Sequence, residues 1–242
     1  MRVDFSILWS IVKRNWPLFC HGIGLTLLFA LVGTLGGFVI GVITAAIRTI
    51  HIEYDDSLII KVMKLAVRGI TKFYIWVFRG TPMVVQATFI YYLLRPVFHW
   101  NTMTASLIII SINTGAYMAE IIRAGIQSVS DGQQEAAFSL GMSRLQALLY
   151  IIMPQAIKNT FPSIGNQLIV NIKDSSMLNV LSVTELFFQT YSIAGSNFRY
   201  IETYLIAAVI YLILTSLSTW ILNKIERRLD ITNKQKIMEY AS

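Results

Sequence analysis

Residues 22–47, GIGLTLLFALVGTLGGFVIGVITAAI, form an apolar run that contains no charged side chain. About 20 apolar residues are enough to cross the hydrocarbon core of a bilayer. Because no water is available there, the segment must satisfy its own backbone hydrogen bonds, which a continuous helix does. The whole chain is 55% hydrophobic and 14% charged, whereas soluble domains are about 25% charged. We therefore expect an all-α integral membrane protein without a large soluble domain.

Four further segments are predicted to cross the membrane, at residues 82–98, 103–122, 145–170 and 201–223. The first of these four follows Gly80, and Thr81 is suited to cap a new helix with Pro82 in its first turn. Residues 174–196 are too polar to cross cleanly. We interpret them as a partly buried helix or a re-entrant segment before the last span.

Residues 48–80, between the first two predicted spans, are rich in basic side chains. Lys61, Lys64, Arg68 and Lys72 recur at spacings of three or four and so share one face of a helix. A full span here would bury those charges, which is costly. The pattern favours an amphipathic helix at the membrane interface, with a basic stripe toward water.

Glycines recur at every fourth position of the first predicted span, at Gly33, Gly37 and Gly41. This spacing places them on one helix face, where another helix can approach closely. The alternative is the ordinary enrichment of glycine in membrane helices. We favour a packing face.

The formal net charge of +7 is explained by basic residues that flank the apolar runs, and a nucleic-acid partner is not expected. With an external N-terminus and a cytoplasmic C-terminus, five spans place 14 Lys and Arg inside and 6 outside. This distribution obeys the positive-inside rule, and the opposite orientation violates it. We expect a multi-pass protein of the bacterial inner membrane in that orientation.

Residues 131–141, on the predicted cytoplasmic side, have the local signals of a short helix. Ser130 with Gln133 three residues later is a capping-box pattern, and Gly141 is suited to end the helix in a left-handed conformation. Ser143 with Gln146 repeats the capping-box pattern and starts the next helix. So short a helix is marginal in water, so we expect it to pack against the membrane domain, a partner, or both.

The stretch 135–154, EAAFSLGMSRLQALLYIIMP, resembles the EAA loop of ABC importer permeases, with matches at Glu135-Ala136-Ala137, Gly141, Ile151 and Pro154. Met153 stands where that family usually has Leu. Residues 78–86, 113–126 and 172–187 resemble the polar amino-acid branch, whose members carry histidine, arginine, lysine, glutamine or glutamate. The resemblance covers nearly the whole chain from about residue 22. It implies five transmembrane helices of the type I ABC importer (MetI-like) core, plus interfacial and coupling helices, within a single permease domain, 1–242.

The resemblance also implies the partners. The EAA loop of this family inserts into a groove on a cytoplasmic ABC ATPase dimer, and the residues expected to couple to it here are Glu135, Ala136, Ala137, Ser139, Gly141 and Arg144. This chain has no GxxxxGK[ST] phosphate loop. ATP and Mg are therefore expected on the partner, and no enzymatic activity, catalytic residue, cofactor or metal is expected here. A second permease copy or a homologous permease would complete the pathway, an extracytoplasmic solute-binding protein would deliver the amino acid, and lipid would surround the complex.

Three groups of polar residues are candidates for substrate contact at membrane depth. Asn113, Tyr117 and Glu120 share one face of the third predicted span, although Glu120 has the alternative of pairing with Arg123. Discontinuous helices commonly expose polar groups at transport sites, and the remaining candidates lie near such breaks: Asp174, Ser175, Ser176 and Gln86. The alternatives are a Lys173–Asp174 surface pair with a serine cap, and a structural hydrogen bond from Gln86 to a neighbouring helix.

A competing hypothesis is a secondary amino-acid transporter or channel that needs no ATPase. It predicts internal repeats and a charged residue central in a span. Neither is evident in the sequence. We therefore favour the importer permease, and Asp174 and Glu120 favour a cationic or zwitterionic solute.

Overall fold

The computed structural model describes residues 5–50, 52 and 54–228, and these residues contain helices and no strand. The α-helices are α1 (Phe5–Arg48), α2 (Leu58–Gly80), α3 (Met83–Phe98), α4 (Thr102–Gln127), α5 (Asp131–Ser139), α6 (Arg144–Gln146), α7 (Met153–Asp174), α8 (Leu186–Asn197) and α9 (Tyr200–Arg228). A π-helical segment, Ala147–Ile152, joins α6 to α7, and a 3-10 helix, Ser175–Leu181, follows α7. The all-α prediction is confirmed for this part of the chain.

Three of the described helices, α1, α4 and α9, are long and apolar enough to cross a membrane. They contain the predicted spans 22–47, 103–122 and 201–223. Helix α3 matches the predicted span 82–98, but it has only 16 residues. The predicted span 145–170 falls within the uninterrupted helical stretch from Arg144 to Asp174. The crossing of the membrane by these last two segments stays a prediction.

Helix α1 begins at Phe5, well before the predicted start of the first span, and continues through Pro17. Its first half is stabilised by packing, because Ile11 and Phe19 belong to a buried cluster with Leu186 of α8 and Ile206 of α9. Tertiary contacts thus extend the helix across a proline that would otherwise favour a break.

The glycine face of α1 packs against α4, as predicted from its spacing. A Cβ atom at Gly37 would lie 2.5 Å from Cγ2 of Thr114 and 3.0 Å from the backbone nitrogen of Gly115. A Cβ atom at Gly33 would likewise lie against the side chain of Ile110. The two helices therefore approach each other at a distance that a side chain at these positions would prevent.

Helix α2 exposes most of its surface and buries only Ile75. Ser57 caps its start, since the Ser57 hydroxyl accepts a hydrogen bond from the Ile60 backbone N–H at 3.4 Å. The cap predicted for α3 at Thr81 is wrong. Pro82 occupies that position, because Thr81 ends α2 in an extended conformation and its side chain bonds within α2 instead, donating to the Val77 carbonyl.

Candidate functional site: the coupling segment and the polar groups of the helix core

The short helix predicted over residues 131–141 exists as α5, nine residues that begin after a short connection from α4; its coupling role stays a prediction. Gly141 has a φ of +77°, which confirms the left-handed end predicted for the helix. The Ser143–Gln146 capping box is also confirmed, with both reciprocal hydrogen bonds present. The first predicted capping box is wrong, because the Ser130 side chain makes no cap hydrogen bond and the Gln133 backbone N–H donates to the Ser130 carbonyl.

One side of α5 packs inward and the other is exposed. Ala137 is buried, and α5 packs against the π-helical segment, whereas Glu135, Ala136 and Ser139 are exposed. Leu140, which ends the helix, is 82% exposed. An accessible surface made of a carboxylate, small side chains and a bulky apolar side chain is suited to contact a partner protein.

The coupling segment is also tied to the helices around it. The Gln155 amide of α7 donates to Oε1 of Gln133 in α5 at 3.3 Å. The Asn159 amide of α7 donates to the Ser128 hydroxyl at the end of α4, at 2.9 Å. Arg144, the remaining coupling candidate, is exposed and has partners of its own. These hydrogen bonds join α5 to α7 and the end of α4 to α7.

Asn113 and Gln86, two of the predicted substrate contacts, bind each other. The Asn113 amide on α4 donates to Oε1 of Gln86 on α3 at 2.8 Å, and both side chains are buried. The Gln86 amide in turn has acceptors at the Thr81 hydroxyl (2.7 Å) and the Phe78 carbonyl (3.0 Å). Gln86 therefore bonds across the break between α2 and α3, which is the structural alternative considered for it.

Glu120 lies between two arginines rather than beside one. Arg48 at the end of α1 forms an ion pair with Oε1 of Glu120, and Nε of Arg123 donates to Oε2 at 2.9 Å. Both carboxylate oxygens are thus occupied within the subunit. The pairing with Arg123 was the expected alternative, and Arg48 adds a link between the C-terminal parts of α1 and α4.

Tyr117, one turn from Asn113, contacts the end of α2. The Cζ atom of the Arg79 guanidinium is 5.7 Å from the centroid of the Tyr117 ring, a cation–π distance. The face of α4 that bears Asn113, Tyr117 and Glu120 therefore touches three different helices, and no two of these residues share a partner.

Asp174, Ser175 and Ser176 come at the junction of α7 and the 3-10 helix. The Ser175 side chain is fully buried and donates to the Ile172 carbonyl at 2.9 Å. Ser176 is partly exposed and donates to the Lys173 carbonyl at 2.6 Å. Neither serine N-caps a helix, because Asp174 takes that position before the 3-10 helix and Ser175 is the C-cap of α7, which corrects that alternative. Asp174 is partly buried, and in the described residues no hydrogen bond or ion pair engages its carboxylate.

A polar chain that sequence reasoning missed joins α1, α4 and α7. The Thr114 hydroxyl donates to Oδ1 of Asn171 at 3.0 Å, and the Asn171 amide donates to the Thr34 hydroxyl at 2.9 Å. All three side chains are buried. In the sequence, Asn171 is recognisable only as an amide side chain directly beyond the predicted span 145–170. That position does not indicate which residues it bonds.

The sequence of this chain matches known proteins over most of its length. The sequence profile of the family described as "Binding-protein-dependent transport system inner membrane component" matches residues 57–231. The glutamine transport system permease protein GlnP of Escherichia coli (strain K12) is 37% identical over 236 residues, which is 96% of this chain and 100% of that protein.

Two solved structures agree in fold. An amino acid ABC transporter crystallised with histidines matches with a TM-score of 0.78 and 39% identity, over 94% of this chain and 100% of the other. The methionine ABC transporter in an inward-facing conformation matches with a TM-score of 0.71 and 17% identity, over 94% and 99% of the two chains. The second likeness concerns the fold alone.

Proposed function

The chain belongs to the family of binding-protein-dependent transport system inner membrane components and is an amino-acid ABC importer permease of the bacterial inner membrane, and from this premise we propose its substrate, coupling and partners. It takes up polar amino acids, cationic or zwitterionic, by alternating access. ATP, with Mg, is bound and hydrolysed on a separate cytoplasmic ATPase dimer. The N-terminus is outside and the C-terminus is cytoplasmic, in agreement with the positive-inside rule.

The geometry of α5 supports the coupling proposal most directly. The helix exposes Glu135 on one side and buries Ala137 on the other, and Gly141 turns the chain into α6 at a positive φ. Since Gln133 is bonded to α7 and the end of α4 is bonded to α7 as well, closure of the ATPase would move α5 together with the membrane helices. Two permease copies, or this chain with a homologue, would enclose the pathway, and an external binding protein would deliver the solute.

For the substrate, the partly buried Asp174 is the best supported of the proposed contacts. Its carboxylate can offset a substrate ammonium or guanidinium, because the described residues leave it without a hydrogen bond or ion pair. Tyr117, Asn113 and Ser176 are proposed as supporting contacts. Gln86, Ser175 and Glu120 have their polar atoms engaged within the subunit, so they contribute to the site by holding it in shape.

Reconstituted vesicles test the proposal. Vesicles that contain this chain, its ATPase and its binding protein are expected to accumulate a labelled polar amino acid only when ATP is present on the ATPase side. Glu135→Ala is expected to lower that uptake. Asp55→Asn, a charge loss at an exposed residue of the loop between α1 and α2, is the matched control. Uptake without ATP would refute the importer mechanism, and normal uptake by Glu135→Ala would refute coupling through α5.

A further inference from the structure

Arg79 lies in the last turn of α2, where the chain breaks before α3. The guanidinium is positioned over the Tyr117 ring at 5.7 Å, and the side chain is exposed. The ion pairs found in the described part of the chain engage Arg48, Lys64, Arg123 and Arg199, and not Arg79. An aromatic face thus fixes the position of this cation without neutralising its charge.

The depth of Arg79 follows from its position beside α4. Tyr117 is fifteen residues from the first residue of α4 and ten from the last, so it lies about 22 Å and 15 Å from the two ends at 1.5 Å per residue. With the predicted span 103–122 in the roughly 30 Å hydrocarbon core, Tyr117 lies five residues, about 8 Å, inside the cytoplasmic boundary, so the C-terminal end of α2 enters the core from the interface predicted for residues 48–80. A charge at that depth is costly unless it faces a polar cavity or a partner, and it marks a functional site by default.

Polar groups of the proposed pathway lie on both sides of the same level. Asn113 is one turn from Tyr117, on the helix that Arg79 contacts. Thr114, the next residue of α4 after Asn113, donates a hydrogen bond to Asn171 of α7. Asp174 lies three residues after Asn171 in the same helix. Because α7 runs antiparallel to α4 in the predicted topology, Tyr117 and Asp174 are separated along the helix axes by two steps of three residues, about 9 Å. An extended amino acid with a cationic side chain, such as arginine, can bridge that axial separation.

We propose that Arg79, held by Tyr117, binds the α-carboxylate of the amino acid in the translocation pathway, while Asp174 attracts its cationic end. The planar guanidinium can engage a carboxylate through two parallel hydrogen bonds. The cation and the anion would then fix the direction of the substrate. This inference rests on the proposed function, since it requires an amino-acid substrate.

Direct binding to the complex of permease and ATPase, without the binding protein, tests the role of Arg79. The probes are labelled L-arginine and L-glutamine, each compared with its decarboxylated analogue, agmatine or 4-aminobutanamide. Arg79→Gln is expected to weaken binding of the better-bound amino acid about tenfold to a hundredfold and to leave binding of its decarboxylated analogue unchanged. Arg79→Lys is expected to retain part of the affinity, and Arg68→Gln, the same change on an exposed residue of α2, is expected to have no effect.

The inference alone would be overturned by an unchanged affinity of Arg79→Gln for the amino acids, by an equal loss for the amino acids and their analogues, or by an importer active in vesicles whose complex does not bind its substrate. Equal loss would indicate a structural role, or contact with lipid phosphate. An effect of Arg79→Gln that disappears in vesicles without anionic lipid would also count against it. Wild-type vesicles that take up no polar L-amino acid, with L-arginine, L-histidine and L-glutamine as probes, would overturn the proposed substrate class and this inference with it.

Discussion

Replacing Gly37 by alanine tests the close packing of α1 on α4. The added methyl group would lie 2.5 Å from Cγ2 of Thr114 and 3.0 Å from the backbone nitrogen of Gly115. Thr114 is a fully buried, β-branched side chain whose hydroxyl is bonded to Asn171, so it cannot rotate away without breaking that bond. The second obstacle is backbone, so the helices themselves must separate.

The expected cost is that of overpacking a close-packed interior, about 1–3 kcal/mol. Alanine also has a higher helix propensity than glycine, by about 1 kcal/mol, which acts in the opposite direction. Gly24→Ala in the same helix provides the correction, because a Cβ atom there meets nothing within 4 Å. The difference in unfolding free energy between the two variants therefore isolates the packing cost.

Thermal unfolding of the purified protein in detergent measures that difference. For a chain of this size 1 kcal/mol corresponds to about 2–4 °C in Tm, so Gly37→Ala is expected to melt about 2–12 °C below Gly24→Ala. Gly37→Leu, with a larger side chain, is expected to lower the Tm further. Equal melting temperatures for the two alanine variants would refute the close contact between α1 and α4.

The other predictions concern the polar contacts and the coupling segment. Asn171→Ala removes two buried hydrogen bonds and is expected to destabilise the protein by about 1–2 kcal/mol in denaturant unfolding. Ser176→Ala, which loses one local bond to the Lys173 carbonyl three residues earlier, is expected to change little. Similar values for the two variants would contradict the bridging role of Asn171. Glu120→Gln leaves Arg48 and Arg123 without their shared carboxylate and is expected to lower the unfolding free energy by about 1–3 kcal/mol. Adding Arg48→Gln in a double variant should restore part of that loss. Additive losses from the two substitutions would argue against the ion pair. Gly141→Ala places a side chain at a positive φ, a strain of about 1 kcal/mol, and is expected to lower ATP-driven uptake. Gly132→Ala in α5, where an added Cβ atom has no neighbour nearer than 3.6 Å, is expected to retain normal uptake. Equal uptake by the two variants would show that the turn at Gly141 does not position α5.

Local signals in the sequence predicted much of the fold. The glycine spacing of the first span, the left-handed Gly141 and the Ser143 capping box depend on residues within one or two turns of each other. The same local signal failed at Ser130, because a capping pattern makes the hydrogen bonds possible without requiring them. Helix α1 also exceeded its predicted start, since its first half is stabilised by α8 and α9, which are remote in sequence.

The candidate site was less predictable than the fold. Placing Asn113, Tyr117 and Glu120 on one face required only the helical repeat. Their partners Gln86, Arg79 and Arg48 come from three other helices, and Asn171 bonds a threonine 137 positions away. Such pairings depend on how helices are arranged in space, and a hydrophobic pattern carries no information about which polar side chain faces which.

The contact between α1, α4 and α7 has a mechanical consequence. Glycine packing and the Thr34–Asn171–Thr114 hydrogen-bonded chain hold these helices together. They can therefore be treated as one rigid body, to which α5 is attached at one end. Helix α4 has 26 residues, a length of about 39 Å. A tilt of about 10° about its C-terminal end would carry its N-terminal end about 7 Å sideways, by the geometry of a rigid rod of that length. In the proposed orientation, a small rotation imposed at the cytoplasmic surface would thus become a displacement of the size of an amino-acid side chain at the opposite face of the membrane.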